Sequence, residues 1–243
     1  MPPKRTTARE FHDAGGVDDW RILYWGAYAY YRIGSFAQGA RFVAAIADVA
    51  EETEHYPDVD LRPEGVTVRT FSRQDGGLSE SDIALARRVS DMARELGLEP
   101  DPSQVQMVGI AVAQDAGADV RPFWSAALGY EHLGAEDAID RHRRNPHLMF
   151  QALESSKAGR GRFHIDVAVP ADQAEARVAA ALAAGGRIAD DSRAPEWWTL
   201  ASPENHGVDI AAWPDFEDYD EDRRREVPIS GCGLRPPSAT DRR

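Results

Sequence analysis

Ala50–Pro57 reads AEETEHYP and Gly76–Val89 reads GGLSESDIALARRV, and these two stretches decide how the first half of the chain folds. Upstream of the first, Ser35 is an N-cap residue, and Phe36, Ala40, Val43, Ile46, Ala47 and Ala50 recur at helical spacing. That pattern predicts a helix over Phe36 to Thr53, with Pro57 turning the chain after it. Between the two stretches, Asp58 to Leu61 and Val66 to Phe71 are short extended runs separated by RPEG, the signature of a hairpin. Asp75, Gly76 and Gly77 then break the chain and Ser79 caps a second amphipathic helix carrying Ile83, Ala86, Val89, Met92 and Ala93. Working upstream, Trp20 to Ile33 (WRILYWGAYAYYRI) is dense in aromatic and β-branched residues and predicts a strand or strand pair, with Tyr28 and Tyr30 on one face. The order is strand, helix, strand, strand, helix.

Outside this block, residues 1–17 are polar and read as a loose leader. Residues 18–98 form the first domain. GLEPDPSQ, from Gly97 to Gln104, has two prolines and no apolar pattern, so the linker is placed at 99–104. Beyond it a strand, helix, Gly-turn, strands grammar occurs twice, about fifty residues apart. Gln106–Val112 leads into Val120–Leu128, and Phe163–Val169 leads into Ala174–Ala184. His147–Leu153, Trp197–Leu200 and Val208–Trp213 supply later strands, so the second domain spans 105–214 and an acidic, then Gly/Pro-rich, tail spans 215–243.

The length of 243 residues suits two domains. A hydrophobic share of 42% and a charged share of 28% belong to a folded, soluble chain. The net charge of −13 opposes nucleic acid and anionic membrane surfaces as partners. No apolar run spans a membrane and MPPKRTTARE has no signal-peptide core, so a cytoplasmic location is expected. The single cysteine, Cys232, fits a reducing compartment and lies in the Gly/Pro-rich tail, where a catalytic thiol is not expected. The basic loop RHRRNPH, Arg141 to His147, is read as cover for a cavity mouth or a contact for an acidic neighbour.

Glu51 and His55 stand four apart at the end of the first predicted helix, with Glu52 also near. On one helical face a carboxylate can orient an imidazole for general acid–base work. A solvated surface pair is the plainer reading of the spacing alone.

Ala27 to Ala93, with AEETEHYP, the hairpin and GGLSESDIALARRV in register, resembles the pterin-4a-carbinolamine dehydratase family. The resemblance implies a four-stranded antiparallel sheet with helices on one face, association into homo-oligomers, and histidines that move protons as water leaves a ring carbon. Glu51, His55, Pro57 and Asp82 match the family's signature. Tyr56 and Arg73 stand where it has its second and third histidines. Tyr56 is a poor base at neutral pH but can hold a hydroxyl, and Arg73 cannot be a base but can clamp a carboxylate or oxyanion. The aromatic cluster Tyr24, Trp25, Tyr28, Tyr30 and Tyr31 is read as core, interface or a wall for a flat ring.

RPFWSAALGY (Arg121–Tyr130), RFHIDVAVPADQAEARVAAALAAGG and SPENHGVDIAAW resemble the glyoxalase/bleomycin-resistance (vicinal oxygen chelate) family, which implies paired βαβββ modules. The resemblance puts His164 at the second module's first-strand ligand position and Asp209 at its last-strand position. In the first module, Val108 stands in the corresponding place and cannot ligate; Gln106 is off register, and Gln151 or Glu154 lies on the later strand. No metal and no cofactor is therefore expected, and His164 is read as a core histidine bonded to Asp209 or to backbone. Trp124, Trp197 and Trp198 with Phe150 are expected to wall an apolar cup, or simply to pack a core.

Together these give an α+β chain whose partner is a small molecule, pterin-like or another planar ring. Catalysis is assigned to His55, Glu51, Tyr56 and Arg73, and substrate contact to Pro57, Asp82, Trp124, Trp198, His164 and Asp209. Three functions are open: a pterin carbinolamine dehydratase with an accessory domain, a tailoring enzyme using the same histidine on another substrate, and a metal-free binding protein.

Overall fold

In the first half, apolar side chains alternate on strands and recur at helical spacing so that one sheet face and two helix faces meet. The computed structural model describes residues 5–24, 26–72, 77–114, 119–134, 136–152, 163–203 and 206–213. It divides into two units that part between Gln106 and Met107.

In the first unit β1 (Arg21–Leu23), β2 (Gly26–Arg32), β4 (Gly65–Thr70) and β3 (Asp58–Arg62) form an antiparallel sheet in the order β1-β2-β4-β3. Ala27, Ala29 and Tyr31 on β2, and Val66 and Val68 on β4, join a core with Phe42, Ile46 and Val49 from α2 (Phe36–Thr53) and with Leu85, Ala86 and Val89 from α3 (Glu80–Glu95). The helix α2 has the expected bounds, but its buried stripe is offset from the expected one. Phe36 is 56% exposed, whereas Gly39, Phe42, Ile46, Val49 and Ala50 are buried. Gly39 sets that offset, because a Cβ there would come within 2.6 Å of a Leu61 methyl; its absence lets α2 lie close on β3.

Two segments expected to be loose are built into this unit. Thr7 caps α1 (Ala8–Asp13) through a reciprocal capping box with Glu10, and Thr6 N–H donates to the Leu78 carbonyl at 2.8 Å. Phe11 is fully buried with Val17 and Trp20. One large apolar side chain in an otherwise polar stretch anchors it, and periodicity over six residues is too short to announce that. The expected linker is likewise pinned: β5 (Glu99–Pro100) pairs with β2, Asp101 N–H donates to the Tyr30 carbonyl at 2.8 Å, and Arg32 holds the Asp101 carboxylate. Tyr31 is core, its hydroxyl between Asp19 at 3.1 Å and Ser90 at 3.2 Å. Trp25 and the acidic and Gly/Pro-rich tail, with Cys232, lie outside the described residues.

The second unit is two βαβββ modules, β6-α4-β7-β8-β9 and β10-α5-β11-β12-β13, in one eight-stranded sheet ordered β11-β12-β13-β10-β6-β9-β8-β7, with β11 (Arg187–Asp190) and β7 (Tyr130–Leu133) at its two edges. Its central strands are β6 (Met107–Gln114), β9 (His147–Ala152), β10 (Phe163–Pro170), β12 (Trp197–Ala201) and β13 (Gly207–Trp213), with β6 antiparallel to β10 and parallel to β9. Helix α5 (Ala171–Ala183) covers Val167, Val169, Leu200 and Ile210 on one face, and α4 (Arg121–Leu128) lies beside Val112, Leu148 and Phe150. The basic loop after β8 (Asp137–Asp140) is a turn organised on one carboxylate. Asp140 accepts from the His142 and Arg144 amides and from Asn145 Nδ2, at 2.9, 3.1 and 2.8 Å. No helix among the described residues is long and apolar enough to cross a membrane.

Phe11→Ala is expected to destabilise the protein by about 3–5 kcal/mol, read from urea unfolding, because it removes a fully buried ring from the first core. An unchanged urea midpoint would mean that the first residues are a loose leader after all.

Candidate functional site

His55 and Asp82 meet where α2 ends and α3 begins. Helix α2 stops at Thr53 because Glu54 takes the left-handed conformation, φ 51° and ψ 29°, and the His55 amide closes the turn onto the Ala50 carbonyl at 3.2 Å. This turn redirects His55 away from the outer face of the helix. Its Nε2 lies 2.8 Å from Asp82 Oδ1 and 3.1 Å from Thr70 Oγ1, on the first turn of α3 and the last residue of β4. The expected pairing of Glu51 with His55 is therefore corrected: the carboxylate on the imidazole is Asp82. The four-residue spacing brings side chains together only while the helix continues, and Glu54 breaks it. Glu51 is exposed and serves Tyr56, whose hydroxyl it reaches; Glu52 pairs with Arg88 at 2.8 Å.

Asp82, expected to touch substrate, is instead fully buried and saturated by donors. Oδ1 accepts from His55 Nε2 and from the Thr70 hydroxyl at 2.5 Å, while Oδ2 accepts from the Ser79 amide at 2.8 Å and the Ser79 hydroxyl at 2.7 Å. The Ser79-x-x-Asp82 spacing at the start of α3 produces the last pair, as a capping box does. Burial disfavours the charged carboxyl, but the hydrogen bonds from His55, Thr70 and Ser79 outweigh it and hold Asp82 below the ordinary carboxylate range. The His55 side chain is 15% exposed, so one edge of the ring reaches the surface. Tyr56 is 60% exposed; the charge of Glu51, then some burial, then Glu54, raise its hydroxyl above the usual value, so it stays protonated as a donor. Pro57 is half-buried and leads straight into β3. Arg73 lies outside the described residues. A cavity of about 360 Å³ beside α1 and α3, lined by Thr6, Glu10, Glu80 and Arg87 among others, contains neither His55 nor Asp82.

Thr70 was not anticipated as a site residue. Its signal in the sequence was faint, a hydroxyl at a strand position otherwise occupied on its face by Val66 and Val68. Arg69, its neighbour on the opposite face, is buried against Asp58 at 3.1 Å and lies over the Tyr28 and Phe71 rings at 5.5 and 5.3 Å. That face of the sheet is therefore a cation–aromatic layer, and Tyr28 belongs to it.

In the second unit His164 Nε2 lies 3.2 Å from Asp166 Oδ1 and 3.7 Å from Asp209 Oδ2. Strand alternation sets all three on the face opposite Val167, Val169, Val208 and Ile210, and hence away from α5. Asp166 is the addition that sequence reasoning missed; a His-x-Asp alternation on one strand was the available signal. Burial pulls the proton off His164, but the hydrogen bond and charge of Asp166 and then the charge of Asp209 prevail, and its imidazole titrates above the usual value. Burial, then the charge of Asp166, raise the Asp209 carboxyl.

Of the two roles expected for Trp124 and Trp198, an apolar cup or a packed core, the structure shows core packing, and substrate contact on the face of His164 is not theirs. Trp198 packs on the core under α5, and Trp124 packs on the core under α4, edge-on to Phe163 at 5.4 Å. Even spacing along β12 puts Trp197, not Trp198, on the side of Asp209. Val108 pairs with Val167 on the helix-covered side, and Gln151 stands opposite Ala113, a row away from His164 and Ala111. Gln106 precedes β6, and Glu154 lies outside the described residues. At Gly109 an added Cβ would come within 2.6 Å of the His147 ring, so the buried imidazole of His147 occupies the space that a side chain on β6 would take.

The ligand atoms of His164, Asp166 and Asp209 all lie within 4.8 Å of one another, a spacing that one divalent cation can bridge. One nitrogen and two carboxylate oxygens suit zinc or another first-row metal, with further positions left open. A proton shared between His164 and Asp166 satisfies the same atoms without metal.

Residues 109–211 match the family described as glyoxalase-like domain, and residues 4–92 match pterin 4 alpha carbinolamine dehydratase. Similar curated proteins carry the name pterin-4-alpha-carbinolamine dehydratase. One from Thermomicrobium roseum is 36% identical over 63 residues, covering 26% of this chain and 68% of the relative. One from Halobacterium salinarum is 34% identical, covering 25% and 67%, and one from Chloroflexus aurantiacus is 31% identical over 74 residues, covering 30% and 80%. A solved transcriptional coactivator/pterin dehydratase from Brucella melitensis is 25% identical, with a TM-score of 0.36 and coverage of 37% of this chain and 99% of that one. The chain thus belongs, through its first unit, to the pterin-4a-carbinolamine dehydratase family, and it carries a glyoxalase-like domain as its second.

Proposed function

We propose that the first unit removes water from a pterin 4a-carbinolamine or a related heteroaromatic adduct, with His55 as its acid and base. One observation carries the reading: a partly exposed imidazole is held by a buried, ionised aspartate at 2.8 Å. A carbinolamine has a hydroxyl on the carbon next to a ring N–H. Taking the N–H proton lets that electron pair form the C=N bond, the C–O bond breaks, and the departing hydroxide leaves as water once it receives a proton. Proton removal and return balance, so one group of suitable basicity can serve both, and no oxidant or cofactor enters. Tyr56, protonated and exposed beside Glu51, is assigned to holding the leaving hydroxyl, a role that its O–H donor supports. Arg73 is assigned to anchoring a polar edge of the ring. The family's habit of association supports a homo-oligomer.

A second reading concerns the other unit and rests on its three converging ligands. His164, Asp166 and Asp209 would hold a divalent cation. Such an ion supplies a Lewis acid that polarises a bound oxygen. A tailoring role on a different adduct uses the same His55, and the choice of substrate in the assay separates it from pterin dehydration.

The purified protein is expected to accelerate water loss from a pterin carbinolamine generated in the assay, and His55→Ala to slow it by ~100-fold or more. Equal, uncatalysed rates for both would end the dehydratase reading. Asp82 contributes stability that is complete above the ordinary carboxylate value of 3.8 and is lost as pH falls through its lower folded value. Asp82→Asn should therefore cost about 2–4 kcal/mol near neutral pH, with the gap to wild type closing in acid, as measured by urea unfolding across pH. Zinc titration followed by calorimetry should show one site that weakens as pH falls, because the proton on His164 competes, and that disappears in Asp166→Asn. Identical zinc binding by wild type and Asp166→Asn would remove the cation reading.

A further inference from the structure

Three atoms close a triangle inside the first unit. Thr70 Oγ1 is 2.5 Å from Asp82 Oδ1 and 3.1 Å from His55 Nε2, and that nitrogen is 2.8 Å from the same Oδ1. Thr70 and Asp82 are both fully buried. A hydroxyl has a single hydrogen, and an ionised carboxylate only accepts. The short contact assigns the Thr70 hydrogen to Asp82, as charge-assisted O–H···O bonds are the short ones. Thr70 Oγ1 then offers only lone pairs to the imidazole. Both neighbours of Nε2 are acceptors, so Nε2 must carry its hydrogen. The opposite tautomer would set a nitrogen lone pair against two oxygen lone pairs in a buried place, at the full cost of unmade hydrogen bonds. Turning the ring over would present a carbon to both oxygens and lose the same bonds.

The remaining ring nitrogen, Nδ1, has no hydrogen-bond partner among the described residues. Resting on the dehydratase reading above, the geometry points to Thr70 as a positioning residue for proton transfer at His55. With Asp82 it commits Nε2 to carry its hydrogen inward and leaves Nδ1 as the atom that takes and returns the substrate proton. Threonine suits the place for two reasons. Its β-branch fits the strand and restricts χ1, and its hydroxyl does what the valines two and four residues earlier on the same face cannot.

Three proteins test this: wild type, Thr70→Val, which keeps the shape and deletes the hydroxyl, and Thr70→Ser, which keeps the hydroxyl. The His55 ring nitrogens are observed by ¹⁵N NMR above the ordinary imidazole value of about 6.5, with His55→Ala giving the assignment. Wild type and Thr70→Ser are expected to show one tautomer with the hydrogen on Nε2 and slow exchange of that hydrogen. In Thr70→Val its exchange should quicken by ~10-fold or more, kcat should fall by ~10-fold with KM within about twofold, and Thr70→Ser should recover kcat to within about threefold. A wild-type hydrogen on Nδ1, or a Thr70→Val protein with unchanged exchange and kcat, overturns the assignment. Should Thr70→Val fail to fold, the wild-type tautomer and the Thr70→Ser kinetics decide. Should wild type fail to turn over carbinolamine, the dehydratase reading falls and the NMR result alone decides Thr70.

Discussion

A single buried carboxylate organises the first unit's chemistry, because leaving Asp82 charged inside the fold is tolerable only while all its acceptor positions are met. Four hydrogen bonds meet them, from His55, Thr70 and two groups of Ser79. Those donors come from the end of α2, the end of β4 and the cap of α3, so one charge ties three elements whose sequence positions span 27 residues. Removing any donor exposes the desolvation cost of the charge, which hydrogen bonds to ionised groups normally offset by roughly 1.5–3 kcal/mol each. The leader adds to this arrangement from outside: Thr6 pairs with Leu78, the residue just before Ser79, and so steadies the loop that presents the cap.

Much of the fold was legible in the sequence because it depends on local pattern. The bounds of α2, the hairpin of β3 and β4, the cap at Ser79 and the doubled modules all follow from spacing, turn residues and N-caps that act within a few positions. What was not legible depends on geometry across the fold. Glu51 seemed the partner of His55 because four-residue spacing is a helical rule; the left-handed Glu54 cancels that rule and hands the imidazole to Asp82, 27 residues away. Asp82 itself was visible as a matched position, but with substrate contact as its task rather than the holding of His55. Asp166 is side by side with His164 by strand alternation alone, but a period of two does not say which sheet face is left open, and only the register across β10 and β13 does.

The tryptophans teach the same point from the apolar side. Trp197 and Trp198 are adjacent on β12, and a shift of one residue decides whether an indole joins the packed core or the face bearing Asp209. Composition identifies an aromatic-rich strand; only the register with Thr199 and Asp209 says which ring stands where. Phe11 gives the converse case. A lone aromatic in a polar run carries no periodicity, yet complete burial of its ring orders the residues around it.

The two units each bring a histidine against aspartate, and their electrostatics differ in a way that separates their chemistry. At Asp82 every oxygen is donor-bound and the carboxyl is held low, so the aspartate keeps its charge and takes no proton; its effect is to aim the imidazole. At His164 two carboxylates share one imidazole, burial and mutual repulsion raise Asp209, and the imidazole is held cationic more readily than usual. The first arrangement carries one negative charge whose oxygens are all taken by donors from within the fold, which leaves no open acceptor for an ion. The second has surplus negative charge on an apolar-backed sheet, which a proton or a divalent cation relieves. Binding of either at the second site is therefore a competition set by pH, whereas the first site depends on the four donors that keep Asp82 charged.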